Sequence, residues 1–310
     1  MLGRIGAIAF NTYREAVRAR VLHGLFGLAL ATGGYALVVG AFALRSELRV
    51  VSDLGAASIS LYGIVVAIVL GATSLYRELE LKTVFPILAR PITRSEYLVG
   101  KYLGTLLTLA VFIAANSGAL LLALAKLSGR SAPLVVGLGI GSMAVVLLLS
   151  WRLPRFRTWA PIPWAAFVLI MGFILASGAA DDRRVIVGSA ALTLCEVSII
   201  TALATVFASF SSPFLTAVFT FGVFVVGRSA DTLENLPHRV FGHTIKSIGQ
   251  GLSHIVPNLM LYVPPRPLLI GEAVGASLAN YTAMAFAHAA AWTVGLLAGA
   301  SLIFRRRDFL

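Results

Sequence analysis

Apolar stretches about as long as a membrane is thick recur along this 310-residue chain and constrain its fold more than any other feature. A transmembrane helix needs about 20 apolar residues to cross a hydrocarbon core of about 30 Å. Hydrophobic residues make up 58% of the sequence and charged residues only 12%, a balance that excludes an ordinary soluble domain. The sequence therefore predicts an all-α polytopic membrane protein, a single transmembrane domain over residues 1–310, with about eight transmembrane helices at residues 22–44, 54–76, 102–125, 134–151, 160–178, 185–208, 211–227 and 282–304.

The sixth and seventh predicted spans come from one apolar stretch, residues 185–227, which is too long for a single helix. Serines and a proline at residues 211–213 favour a turn there, because proline and hydroxyl residues interrupt helices. The seventh span is then short.

Glycines four residues apart at 137–141 and 295–299 indicate close helix packing, as small residues do in membrane helices.

The basic residues are divided unequally between the two sets of loops. Fifteen of the 25 Lys and Arg fall in the set that contains both chain ends, in fewer residues than the other ten occupy. By the positive-inside rule both termini are expected in the cytoplasm. The formal charge of +12 is thus explained by the flanks of membrane spans, and no nucleic-acid partner is predicted. The single cysteine, Cys195, excludes an intramolecular disulfide and a Cys-rich metal site.

Residues 1–20 form a predicted amphipathic helix that lies at the membrane interface. Its polar face carries Arg4, Arg14, Glu15 and Arg18, and apolar residues fill the rest of its circumference. The apolar face can enter the acyl boundary while the arginines meet anionic lipid headgroups or an acidic partner. Two interpretations remain open: the helix is a membrane anchor alone, or it also helps to dock a cytosolic subunit.

Residues 77–101 are predicted to form a charged helical elbow on the cytoplasmic side. Glu78 can pair with Lys82 one helical turn later, and Pro91 ends this first helix. Thr93 and Glu96 then have the spacing of a capping box, which starts a helix that runs into the third span. Such an elbow can transmit force between a cytosolic machine and two membrane helices.

This elbow resembles the intracellular coupling segment of type-2 ABC transporter permeases, the exporter-like group. In that family Glu-x-(Gly or Lys)-Thr is followed by Leu-x-x-Pro-(Ile/Val)-(Ser/Thr)-Arg and then Gly-Lys. Lys82 at the Gly or Lys position is similar to the branch associated with maturation of nitrous oxide reductase and other multicopper enzymes. The usual member has six spans, so the pair within 134–178 reads as an addition to that core. The matching positions are Glu80, Lys82, Thr83, Leu88, Pro91, Ile92, Thr93, Arg94, Gly100 and Lys101.

The resemblance implies a permease subunit of an ATP-driven exporter in the bacterial cytoplasmic (inner) membrane, surrounded by lipid. It implies a dimer with a second copy or a related permease, and two cytosolic ABC ATPase subunits that bind ATP and Mg²⁺. This chain is predicted to bind no cofactor and to be no enzyme itself. Gly100-Lys101 could belong to a Walker A loop only if residue 95 were Gly and residue 102 were Ser or Thr, but these residues are Ser95 and Tyr102. The expected ATPase-docking residues are Arg77, Glu78, Glu80, Lys82, Thr83, Arg90, Pro91, Arg94, Gly100 and Lys101.

Glu196 lies near the middle of the sixth span, where a charge is unfavourable unless it faces protein or a water-filled cavity. It is either part of a translocation path together with Asn116, or a protonated carboxyl that bonds a polar neighbour such as Asn116. An ion-coupled secondary transporter that uses Glu196 is an alternative function. An intramembrane enzyme that uses Glu196 and His288 is a further alternative, although no known catalytic motif accompanies them.

The outward segment 228–281 contains three histidines and Met260. His238, His243 and His254 could bind copper or zinc, but their spacings of five and eleven place no two on a shared helical turn, and ordinary surface histidines are favoured. Prolines divide the segment into short helices that could be re-entrant, as the resemblance also implies, and could close the outer mouth of a pathway.

Overall fold

The fold, obtained as a computed structural model, is described for residues 2–43, 45–80, 93–153, 156–236, 238–272 and 277–306, and every regular element in these ranges is helical. This confirms the all-α prediction. A π-helical turn at Gly137–Gly141 joins the helices at Ala132–Val136 and Ser142–Arg152. The helices are α1 (Leu2–Val17), α2 (Arg20–Phe42), α3 (Glu47–Glu80), α4 (Arg94–Leu127), α5 (Ala132–Val136), α6 (Ser142–Arg152), α7 (Phe156–Trp159), α8 (Pro161–Leu175), α9 (Ala180–Ala208), α10 (Pro213–Arg228), α11 (Ala230–Glu234), α12 (His238–Ile255), α13 (Arg266–Ile270) and α14 (Leu278–Arg306).

Seven helical segments of the described residues are long and apolar enough to cross a membrane. They are α2, α3, α4, α5 with α6, α8 with its 3₁₀ end, α9 and α14, and they coincide with seven of the eight predicted spans. The eighth, α10, has 16 residues. At 1.5 Å per residue it is about 24 Å long, shorter than a hydrocarbon core of about 30 Å.

Local sequence signals place the helix ends where they were predicted. Helix α9 ends at Ala208, Ser212 is extended, and Pro213 begins α10, which confirms the turn. At the start of α4, the Thr93 hydroxyl accepts from the Glu96 backbone N–H at 3.2 Å, and Glu96 accepts from the Thr93 N–H at 2.9 Å. The capping box is therefore present.

The elbow begins differently from the prediction. Helix α3 continues without interruption to Glu80, so Arg77, Glu78 and Glu80 extend the second span instead of starting a separate helix. The physical reason is that no glycine or proline occurs between the apolar part of α3 and Glu80. The first elbow helix was predicted over residues 77–88. Its remainder, residues 81–88, and the following residues 89–92 lie outside the described residues.

Helices α3, α4 and α9 form the centre of the bundle. More than half of the apolar segment of each is buried, whereas only 6% of residues 132–152 are buried. Helix α9 packs against α3, α4, α10 and α14. The added pair lies at the edge, where α8 packs on α4 and α5–α6 covers little. The central helices are thus the ones that can line a path through the protein.

Glycines allow close helix contacts, but at other positions than predicted. A Cβ on Gly118 of α4 would lie 2.7 Å from the Leu169 backbone of α8, and one on Gly71 of α3 would lie 2.5 Å from the Cβ of Ala204. At the predicted positions the space is open: a Cβ on residues 137, 141, 295 or 299 would meet nothing within 4 Å in the described structure. The spacing prediction was wrong because small residues permit a contact without supplying a neighbour.

Candidate functional site

The first candidate site is the junction between α1 and the start of α4. A Cβ on Gly100 would lie 2.7 Å from the Ile8 side chain, and one on Gly104 would lie 2.6 Å from Thr12. The two glycines therefore let α1 approach the α4 backbone directly. Tyr13 of α1 is fully buried, and this burial raises the pKa of its hydroxyl to about 12. Helix α1 is thus part of the fold as well as an amphipathic surface helix.

An ion pair between a half-buried carboxylate and a buried lysine links α1 to α4 at this junction. The Lys101 Nζ lies 3.7 Å from a Glu15 carboxylate oxygen and donates to the Ser74 carbonyl at 3.3 Å. Lys101 is only 4% exposed. Gly100 and Lys101 were predicted to touch an ATPase. In this chain both are buried beneath α1.

The start of α4 also contacts the end of α14. The Arg94 guanidinium donates to the Phe304 carbonyl at 3.3 Å, and the hydroxyls of Ser95 and Ser301 are 2.5 Å apart. The rings of Tyr97 and Phe304 stack with centroids 6.4 Å apart. The first two turns of α4 are therefore held between α1 and the C-terminal helix.

The other predicted docking residues fall around this junction or outside the described part. Arg77, Glu78 and Glu80 form the last turn of α3. Lys82, Thr83, Arg90 and Pro91 lie outside the described residues. Of the interfacial set, Arg4, Arg14 and Arg18 are exposed, while Glu15 is half-buried.

The second candidate site is a buried ion pair between α9 and α10. The Glu196 carboxylate is fully buried and accepts from Arg228 Nε at 2.7 Å and from Nη2 at 2.8 Å. Arg228 Nη2 also donates to the Ser60 hydroxyl of α3 at 2.8 Å. Two parallel charge-assisted bonds hold the guanidinium and carboxylate in one plane, the geometry that arginine favours. Three helices therefore meet at one ion pair within the membrane.

The depth of the pair follows from the short length of α10. Glu196 lies 12 residues before the end of α9 and Arg228 lies 15 residues after the start of α10, about 18 and 22 Å from the turn that joins them. Asn116 was expected to bond Glu196, but the structure shows Arg228 as the partner of Glu196. The Asn116 carboxamide is buried with no hydrogen-bond partner in the described structure.

A cavity of about 590 Å³ extends from this ion pair toward the chain segment 260–269. Apolar side chains form most of its wall, and Arg228, Ser60 and Thr193 supply polar groups. Its volume lies within the range of about 300–1,000 Å³ that is typical of small-molecule sites. We call it the Arg228 cavity.

An ionic cluster lies at the other end of the Arg228 cavity. Arg266 of α13 bonds Asp53 and Ser52 of α3 and Asp182 of α9. Burial alone would lower the pKa of Arg266, but the hydrogen bonds and charges of Asp182 and Asp53 outweigh it and raise that pKa. The cluster joins α13 to the ends of two central helices, so it can hold this end of the cavity closed.

The three histidines of the outward segment lie on one helix, and His288 lies on α14. His238, His243 and His254 all belong to α12, and the last two are about 16 Å apart along it, so they cannot share one ion. No group of three possible metal ligands occurs among the described residues. His288 Nδ1 lies 2.9 Å from the Tyr262 hydroxyl.

Two parts of these sites were missed from the sequence. Arg228 was placed in the outward segment, although an arginine that ends an apolar helix too short to cross should be expected inside the membrane. The Arg266 cluster joins residues more than 80 positions apart in the chain, for which no local signal exists.

The family assignment rests on nearly the whole chain. Residues 7–309 match the ABC-2 family transporter protein family. No curated protein matches the chain. The family match agrees with the apolar helices and with the resemblance of the elbow, and it gives no support to an intramembrane enzyme or an ion-coupled carrier. The chain belongs to the ABC-2 transporter family and is a multi-pass membrane permease subunit of an ABC transporter.

Proposed function

We propose that the chain is the permease of a bacterial inner-membrane exporter and that two cytosolic ABC ATPases drive it from the α1–α4 junction. These ATPases bind ATP and Mg²⁺, and a second copy or a related permease completes the membrane dimer. The close packing of α1 on Gly100 and Gly104 carries the proposal, because a push on α1 or on residues 77–94 reaches α4 with little loss.

The proposed route for the cargo follows the Arg228 cavity. Closure of the ATPases moves the elbow, which tilts α3 and α4. Ser60 lies on α3 and bonds Arg228, so this tilt changes the polar end of the cavity. The Arg266 cluster, which joins α3 and α9, must loosen for cargo to leave.

Co-purification with the ATPases of the same host tests the docking. Charge reversal by Glu80→Lys with Arg94→Glu should abolish co-purification and ATP-dependent transport in inside-out vesicles. The matched control, Arg45→Glu with Glu47→Lys, inverts two exposed charges at the opposite end of α3 and should change neither. Undiminished binding and transport in the first variant contradict the proposal.

The assignment to the nitrous oxide reductase branch rests on Lys82. It predicts that deletion of the gene in a host with this enzyme yields reductase with less copper, as metal analysis of the purified enzyme would show. A full copper content in the deletion strain excludes that branch and leaves the docking proposal intact.

A further inference from the structure

An apolar groove separates the central helices from the added pair at the end of the bundle that carries α1. It lies between the end of α1, the first turns of α2, and parts of α4, α6 and α8. Phe26 of α2 contacts Phe112 of α4 and Trp164 of α8 edge to face, with centroids 5.8 and 6.2 Å apart. The groove has a volume of about 190 Å³. We call it the α2–α8 groove.

The wall of the α2–α8 groove offers little to a polar ligand. The Thr108 hydroxyl donates to the Gly104 carbonyl at 2.9 Å, and the Trp164 indole donates to Ser142 at 3.1 Å. The hydroxyl and indole donors on its wall are thus bonded within the chain. The His23 imidazole also lines the groove, and its Nδ1 lies 3.0 Å from the Ala19 carbonyl. The remaining surface is almost entirely hydrocarbon. An occupant must be apolar where it lies in the groove.

Unpaired positive charges border the α2–α8 groove where α1 turns into α2. Arg14 and Arg18 are exposed, and neither forms an ion pair with the described residues. They line a polar depression of about 470 Å³ together with Asn11, Glu15 and Ala19, while Val17 and Leu22 on either side of this turn line the groove. Charge and hydrocarbon therefore adjoin, as they do in a phospholipid.

The α2–α8 groove also lies at the depth of the acyl chains of one leaflet. Leu22 and Phe26 are within about 9 Å of the start of α2, so the groove faces a single leaflet, the one nearest α1. We propose that the α2–α8 groove holds one acyl chain of an anionic phospholipid whose phosphate lies on Arg14 and Arg18. The bound lipid contacts α1, α2, α4, α6 and α8, and so joins the sparsely buried α5–α6 segment to the α1–α4 junction.

Lipid binding to the purified full chain, without ATPase, tests this proposal by native mass spectrometry. Dioleoyl phosphatidylglycerol should be retained and dioleoyl phosphatidylcholine lost. Arg14→Gln with Arg18→Gln should weaken retention roughly 30-fold, since each basic residue near an anionic surface contributes about 1 kcal/mol. Arg4→Gln, an exposed arginine about 15 Å away on the same helix, is the matched control and should retain the lipid.

The groove itself is tested by filling it. Val111→Trp places a large side chain in the groove wall and should release the lipid, whereas Val218→Trp on the exposed face of α10 should not. Glycerol 1-phosphate alone should not bind, because it lacks the acyl chain. Equal retention of both lipids, or unchanged retention in the double arginine variant or in Val111→Trp, overturns the proposal. Because no ATPase is present, these outcomes are independent of the docking experiment.

Discussion

The two ends of the bundle are held together by different interactions. At the end with α1, backbone lies against backbone at Gly100 and Gly104, and Lys101 is almost fully buried in its ion pair with Glu15. At the other end, Arg266 bonds two carboxylates beside a cavity, and the Asp53 side chain is 46% exposed.

This difference suits the function that we propose for the chain. Close packing transmits displacement because it has no voids to absorb it. Partly hydrated ion pairs separate more easily, because water compensates each charge as the pair opens. The Glu196–Arg228 pair lies between these ends, and its carboxylate is fully buried, so we expect it to be the costliest of the three to break.

The largest expected effect is therefore that of Glu196→Gln. It leaves the Arg228 guanidinium mostly buried without a counter-ion and should lower the free energy of unfolding by about 3 kcal/mol. Thermal unfolding in detergent measures this change. Glu196→Leu with Arg228→Met removes both charges and should recover most of the stability. Wild-type stability of Glu196→Gln contradicts the assignment of a buried pair.

An intermediate effect is expected for Gly100→Leu. The new side chain overlaps Ile8 and should lower stability by about 1–3 kcal/mol through overpacking. It should also reduce stimulation of the ATPase in the purified complex, because α1 is displaced from α4. Gly295→Leu on α14 enters open space and is the control. If both variants behave alike, the contact of α1 with α4 is not what couples the subunits.

The smallest effect on stability is expected for Arg266→Gln. The loss should be about 1 kcal/mol, since Asp53 is partly hydrated and keeps Arg49 as a neighbour at 3.7 Å, and the largely buried Asp182 keeps the hydrogen bond from the Ser52 hydroxyl at 2.8 Å. The transport rate should nevertheless change, because the end of the Arg228 cavity is no longer held closed. Arg130→Gln removes an exposed arginine that bonds Leu175 and Ser177 and does not line the Arg228 cavity, and it should leave the rate unchanged. A wild-type rate in Arg266→Gln excludes a gating role for this cluster.

Structural features that depend on neighbouring residues could be predicted from the sequence, whereas contacts between residues far apart in the chain could not. Span positions, the Thr93–Glu96 capping box and the turn before Pro213 depend on residues close in the chain, and all were predictable. The partner of Glu196 depends on how far α10 extends alongside α9, and the hydrophobic pattern of the sequence does not give this distance. The buried role of Gly100 and Lys101 likewise depends on where α1 folds back. The Gly-Lys pair is part of the family resemblance in the sequence, and only the fold shows that it lies beneath α1.

The central claim is that α1 and the start of α4 move as one unit when ATP binds. Spin labels at Asn11 of α1 and Leu103 of α4, in a Cys195→Ser background, report their distance by pulsed electron paramagnetic resonance in the complex with its ATPases. The distance distribution should be the same with and without trapped ATP, whereas that of a pair at Asn11 and Gln250 of α12 should shift. A shift of the first pair as large as that of the second would contradict the claim.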